Sequence, residues 1–135
     1  MDSCCTGQTR RTAIDFILDP RCRTDGPLPG QPGEQVTTSD GAGIRFSTLL
    51  GGGSTITEIR YQSSSCATLT AYSEVLGELV IGTPAREAIT VTPATLIGAL
   101  PGIPPSRQDR APVVVQAFWS SVAAAIESQE MESSS

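Results

Sequence analysis

Apolar and polar positions alternate along two short stretches of the chain and recur at helical spacing along several others. In residues 43–50, Ile44, Phe46, Thr48 and Leu50 alternate with Arg45, Ser47 and Leu49, the period-two pattern of a strand with one buried face. Gly51-Gly52-Gly53 is a turn signal, and residues 54–62, rich in β-branched side chains, are expected to return as the second strand of a hairpin. Ala13, Phe16 and Ile17 fall at i, i+3, i+4 and predict a short helix from Arg10 to Leu18, ended by Asp19-Pro20. A second helix is predicted over 66–81, with Leu69, Tyr72, Leu76, Leu79 and Val80 near helical spacing and Gly82 as its stop. Pro84 and Pro93 suit the first turns of short helices over 84–89 and 93–100. Beyond Leu100-Pro101-Gly102-Ile103-Pro104-Pro105, the positions Val113, Val114, Ala117, Phe118, Val122, Ala125 and Ile126 mark a helix that packs on a sheet. Trp119, on that helix, reads as a core residue.

The remaining segments are polar or rich in Pro and Gly. Residues 1–9 read as a flexible N-terminal arm and 128–135 as a disordered tail, which leaves one domain over 10–127. Residues 20–41 read as loop throughout, and a loop of that length serves a site or is disordered.

Composition narrows the chemistry sharply. The 135 residues carry nine basic and fourteen acidic side chains, a formal charge of −5, so phosphate backbones and anionic lipid surfaces are repelled. There is no histidine, and every basic residue is arginine. That removes Ser-His-Asp and Cys-His catalysis, His-based zinc sites and lysine chemistry together, and the chain is not expected to be an enzyme. No apolar run approaches the roughly 20 residues of a membrane span. A polar N-terminus without the apolar core of a signal peptide points to the cytoplasm, where the four cysteines would be thiols.

Soft-metal chemistry is what this inventory leaves. Cys4 and Cys5 are adjacent, and neighbouring thiols chelate one metal poorly. Cys22 lies in the Pro/Gly loop, where a ligand and an ordinary loop residue are equally good readings. Cys66 lies between the second strand and the helix it opens, where free backbone N–H groups and the positive end of the helix dipole favour a thiolate. The alternative there is a small apolar residue at a strand–helix junction.

The order of these elements resembles the IscU/NifU-type iron–sulfur scaffold family over residues 10–126. Asp19-Pro20-Arg21-Cys22 stands where that family has Asn-Pro-Arg-Asn. Ser65-Cys66-Ala67-Thr68 resembles its Gly-Cys-Gly-Ser segment, and Ile103-Pro104-Pro105-Ser106-Arg107-Gln108-Asp109-Arg110 its Leu-Pro-Pro-x-Lys/Arg-x-His-Cys segment. The resemblance implies an α+β fold, with a small antiparallel sheet of about three strands built on a hairpin and packed against several helices. It also implies iron–sulfur cluster assembly as the function, a cluster or zinc as the bound group, and a cysteine desulfurase or client iron–sulfur protein as partner.

The family's ligands are only partly kept. Its first cysteine corresponds to Asp40, its second is Cys66, and its histidine and third cysteine correspond to Asp109 and Arg110. The candidate cofactor-binding residues are therefore Cys66, Asp40, Asp109 and Arg110, and the candidate metal ligands Cys66, Asp40 and Cys22. Two readings stay open: a scaffold that binds metal through Cys66 with substitute ligands, and a degenerate scaffold that holds partner proteins without a stable cluster. In the second, Arg110 pairs with Asp40 or Asp109 and fills the pocket with an ion-pair cluster, whereas in the first Cys22, and Cys4 or Cys5 on the arm, fold over to Cys66 and restore two or three thiolates.

Overall fold

A computed structural model describes residues 12–133. The start of the first predicted helix, the N-terminal arm, Cys4 and Cys5 lie outside the described residues. Three strands, β1 (Val36–Thr37), β2 (Gly43–Leu50) and β3 (Ile56–Ser63), form one antiparallel sheet in the order β1-β2-β3. Five helices accompany it: α1 (Ala13–Leu18), α2 (Ala67–Val80), α3 (Ala85–Ala88), α4 (Pro93–Ala99) and α5 (Arg110–Ser133). The expected α+β class, with a hairpin-based sheet and several helices, is what the chain adopts.

The hairpin follows from the alternation. Phe46 pairs with Tyr61 and Thr48 with Ile59 in the β2–β3 register, so the buried positions of both strands share a face. Phe46 joins that face to α5, its ring 5.5 Å from Tyr61 and edge-on to Phe118 at 6.2 Å. The turn needs the left-handed region at Gly53 (φ 72°) and Ser54 (φ 58°). Ser54 is not a glycine, and its hydroxyl donates to Gln129 Oε1 at 2.7 Å while Gln129 Nε2 reaches the Gly51 carbonyl. Those two bonds anchor the end of α5. The segment after residue 127, expected as a disordered tail from its polarity, is accordingly helical through Ser133.

The 20–41 segment is also better fixed than its composition implies. Its Arg23–Thr24 end runs beside β3, with Tyr61 N–H donating to the Cys22 carbonyl at 3.0 Å and Thr24 N–H to the Tyr61 carbonyl at 2.9 Å. It then crosses the outer side of the sheet, where the Ser47 hydroxyl donates to the Pro29 carbonyl. Finally it flanks β2: Gly33 N–H donates to the Phe46 carbonyl at 3.0 Å, and β1 pairs Val36 with Ile44. A two-residue strand has no periodicity to read, so β1 is invisible in the sequence. Gly33 lies so close to α5 that a Cβ there would be 2.5 Å from the Ser121 backbone nitrogen, which only glycine tolerates.

Trp119 corrects a second expectation. The inward stripe of α5 is Val114, Val115, Phe118, Val122 and Ala125, all buried, and one further residue of helical rotation carries the indole outward to 41% exposure.

Candidate functional site

Three chain segments converge at one end of the sheet. The first is the β1–β2 turn. Thr38 N–H donates to the Ala42 carbonyl at 2.7 Å, Ala42 N–H returns to Thr38 Oγ1 at 2.9 Å, and Gly41 supplies the positive φ of 94°. This turn presents Asp40, whose carboxylate accepts the Thr38 hydroxyl. The second is the β3–α2 junction, where Cys66 is the N-cap of α2 and is half-buried. Gly43 N–H donates to Ser64 Oγ at 2.9 Å and Ser64 N–H to the Gly43 carbonyl at 2.9 Å, which holds this junction against the Asp40 turn. The third is the start of α5, reached through Pro104 and a turn of 3-10 helix at Pro105–Arg107.

Arg110 is the centre of the arrangement. It is 5% exposed, and its guanidinium sits between the two carboxylates. Nη2 donates to Asp40 Oδ2 at 2.5 Å, and Nη1 to Asp109 Oδ1 and Oδ2 at 2.9 and 3.0 Å. Cys66 lines the same pocket as the guanidinium, while Nε, fully enclosed, makes no hydrogen bond among the described residues. Asp109, then Asp40, then Cys66 raise the guanidinium's affinity for its proton, so Arg110 is a permanent cation here. The Thr38 hydroxyl and Arg110 in turn hold the Asp40 carboxyl well below the usual carboxylate range, down to about 2. A pocket of about 360 Å³ opens over the group, lined by Asp40, Ser65, Cys66, Thr68, Arg107 and Arg110 among others.

A pH prediction follows from Asp40. Its folded-state pKa is depressed, so the pairing with Arg110 is complete above the ordinary carboxylate range and is lost only as pH falls through about 2. An NMR titration of the Asp40 side-chain carboxyl is expected to show that low midpoint, and Arg110→Gln should return it toward the ordinary value. A midpoint near 4 in the unsubstituted chain would place Arg110 elsewhere.

Of the residues expected at the site, Asp40, Cys66, Asp109 and Arg110 are brought together and Cys22 is not. The Cys22 sulfur faces the inner wall of α2, 2.9 Å from where a Cβ on Gly77 would be. Gly77 lies eleven residues beyond Cys66 on the same helix, about 16 Å along the axis at the α-helical rise. Burial, then the nearby Glu74 charge, pushes the Cys22 thiol up to about 11. Cys22 is a core residue, not a ligand beside Cys66. Its place is dictated by its backbone: Cys22 N–H and Arg21 N–H both donate to the Glu74 carboxylate, at 2.9 and 2.7 Å.

Glu74 itself is a residue the sequence pattern does not reveal. It is 2% exposed and accepts a third bond from the Tyr61 hydroxyl at 2.7 Å, tying α2, β3 and the 20–41 segment together. The available signal is its setting: a single Glu on a helix face otherwise made of Thr70, Ala71 and Gly77, small residues that let another stretch of backbone approach.

The described residues of this pocket do not by themselves fit a cluster or a structural metal. Such groups are held by several thiolates or imidazoles, whereas here one thiol stands with two carboxylates already engaged by a guanidinium. Among the described residues no three His, Cys, Asp or Glu side chains are grouped so as to hold a metal ion. Among them, too, no helix is long and apolar enough to cross a membrane.

This three-stranded, helix-backed α+β fold is shared with other proteins of known structure. The N-terminal NifU-like protein from Brucella abortus superposes with a TM-score of 0.62 at 14% identity, covering 92% of this chain and 94% of that one. A candidate iron–sulfur cluster assembly scaffold protein for the SUF system from Fervidobacterium islandicum AW-1 gives 0.50 at 13% identity, covering 86% and 92%. At those identities the likeness is one of fold. In sequence, the chain is 27% identical over 106 residues to the bifunctional protein NifU/MnmA of Rubrobacter xylanophilus; the match takes in 78% of this chain but only 22% of that longer protein. The chain matches the NifU-like N-terminal domain family over residues 10–132 and belongs to it.

Proposed function

We propose that this chain serves iron–sulfur cluster assembly as a scaffold-type protein whose cluster pocket is held shut by Arg110. It engages a partner of the pathway, a cysteine desulfurase or a client iron–sulfur protein, and retains no stable cluster on its own side chains. Family membership supports the pathway and the class of partner. The observation that carries the closed pocket is the Arg110 guanidinium between Asp40 and Asp109 and beside Cys66. A cation in that position repels iron or zinc and removes both carboxylates as donors. The role is one of binding, not of catalysis, and no reaction step is assigned to these residues.

Binding to a cysteine desulfurase from the same cell, measured by calorimetry without iron, tests the reading. A complex of defined stoichiometry that forms equally well with Cys66→Ser is the expected result. No complex in either form would remove the desulfurase as a partner and leave only the client iron–sulfur protein.

A further inference from the structure

The two carboxylates that pair with Arg110 do different work. Asp109 precedes it in the chain, so its contact travels with Arg110 wherever the start of α5 goes. Asp40 is 70 residues away on the β1–β2 turn, and its contact with Nη2 is the one of the two that reaches across the pocket. Nε adds no hold, since it makes no hydrogen bond among the described residues. Closure therefore depends on where Asp40 points. The Asp40 side chain is more than half exposed and is free to turn into water unless something fixes it.

Thr38 is placed to do so. It is buried, its N–H donates to the Ala42 carbonyl, and its Oγ1 accepts the Ala42 N–H, which closes the turn around Asp40 and aims the hydroxyl. The hydroxyl proton goes to Asp40 Oδ1, which leaves Oδ2 for Arg110. The threonine oxygen thus accepts one bond and donates another, and branching at Cβ restricts the rotamers from which it can do so.

We propose that Thr38 is the positioning residue of the closed pocket: its hydroxyl fixes Asp40 for Arg110, and without it Arg110 swings out together with Asp109. The inference rests on the closed-pocket reading and adds the residue on which closure depends.

Hydrogen exchange at the Arg110 Nε–H, followed by heteronuclear NMR of the full chain at fixed pH, reads the state of the pocket. The Nε–H of the exposed Arg107 is the open reference. In the unsubstituted chain Arg110 is expected to exchange at least about 10-fold more slowly than Arg107. Thr38→Val keeps the branched shape and loses the hydroxyl. It should speed exchange at Arg110 about 10-fold, the worth of one hydrogen bond to a charged group, and Thr38→Ser should restore the slow rate. Because Thr38 acts through Asp40, Thr38→Val combined with Asp40→Asn should be no faster than Asp40→Asn alone. Backbone amides of β2 and β3 report on the fold as a whole and should keep their rates in Thr38→Val. Unchanged protection of Arg110 in Thr38→Val, an equal loss in Thr38→Ser, additive effects in the double variant, or acceleration shared with those amides would each overturn the proposal. An Arg110 as fast as Arg107 in the unsubstituted chain would overturn the closed pocket itself, and the proposal with it.

Discussion

The double substitution Asp40→Cys with Arg110→Cys is expected to convert the chain into a zinc protein carrying about one ion per chain. The change removes the guanidinium that occupies the pocket and adds two thiols to the wall that already holds Cys66, with Asp109 left free as a fourth donor. Three thiolates and a carboxylate form a tetrahedral donor set that the unsubstituted chain lacks, so zinc affinity should rise by about 1,000-fold or more. Arg110→Cys alone should give a smaller gain, because Asp40 remains in place of one thiolate. Zinc counted by mass spectrometry after dialysis against a weak chelator reads the outcome. No gain in the double variant, with the fold retained, would mean that Asp40, Cys66 and Arg110 do not face one pocket.

The second large effect is on stability and lies away from the pocket. Glu74→Ala removes the acceptor for the buried Cys22 N–H and Tyr61 hydroxyl and for the part-buried Arg21 N–H. Each buried donor left unsatisfied costs about 1–3 kcal/mol. The substitution should therefore destabilise the chain by about 4 kcal/mol and lower Tm by roughly 15 °C. The exposed Glu87→Ala is the control and should stay within about 0.5 kcal/mol. Denaturant melts of the two variants against the parent measure the difference. A loss below 1 kcal/mol at Glu74 would mean that water or another side chain satisfies those donors.

What the sequence discloses depends on whether a residue's role is periodic. The β2–β3 hairpin and α2 are legible because their apolar positions repeat at two and at about 3.6 residues, and Pro84 and Pro93 announce α3 and α4. The convergence of Asp40, Cys66, Asp109 and Arg110 follows from the family resemblance, and the ion pairing of Arg110 from the chemistry of the substituted residues. The missed features are all tertiary and have no local pattern. β1 is two residues long. The last turns of α5 are held by Gln129 reaching the strained Ser54 turn. Cys22 looks like a loop thiol until Glu74, fifty-two residues on, fixes its backbone and turns its sulfur into the core. Trp119 is carried outward by its place on the helix rather than by any preference of the indole.

Whether Arg110 closes the pocket is read most directly by reconstitution of the unsubstituted chain. The protein is purified without a metal-binding tag and without oxygen, supplied with iron, sulfide and a thiol, and desalted. Its visible spectrum is then recorded with iron, zinc and sulfide counted per chain. A folded, colourless chain that keeps neither iron nor sulfide is the predicted result. A charge-transfer band with near-stoichiometric iron and sulfide, lost in Cys66→Ser, would contradict it and make Arg110 a residue that moves aside for the cluster.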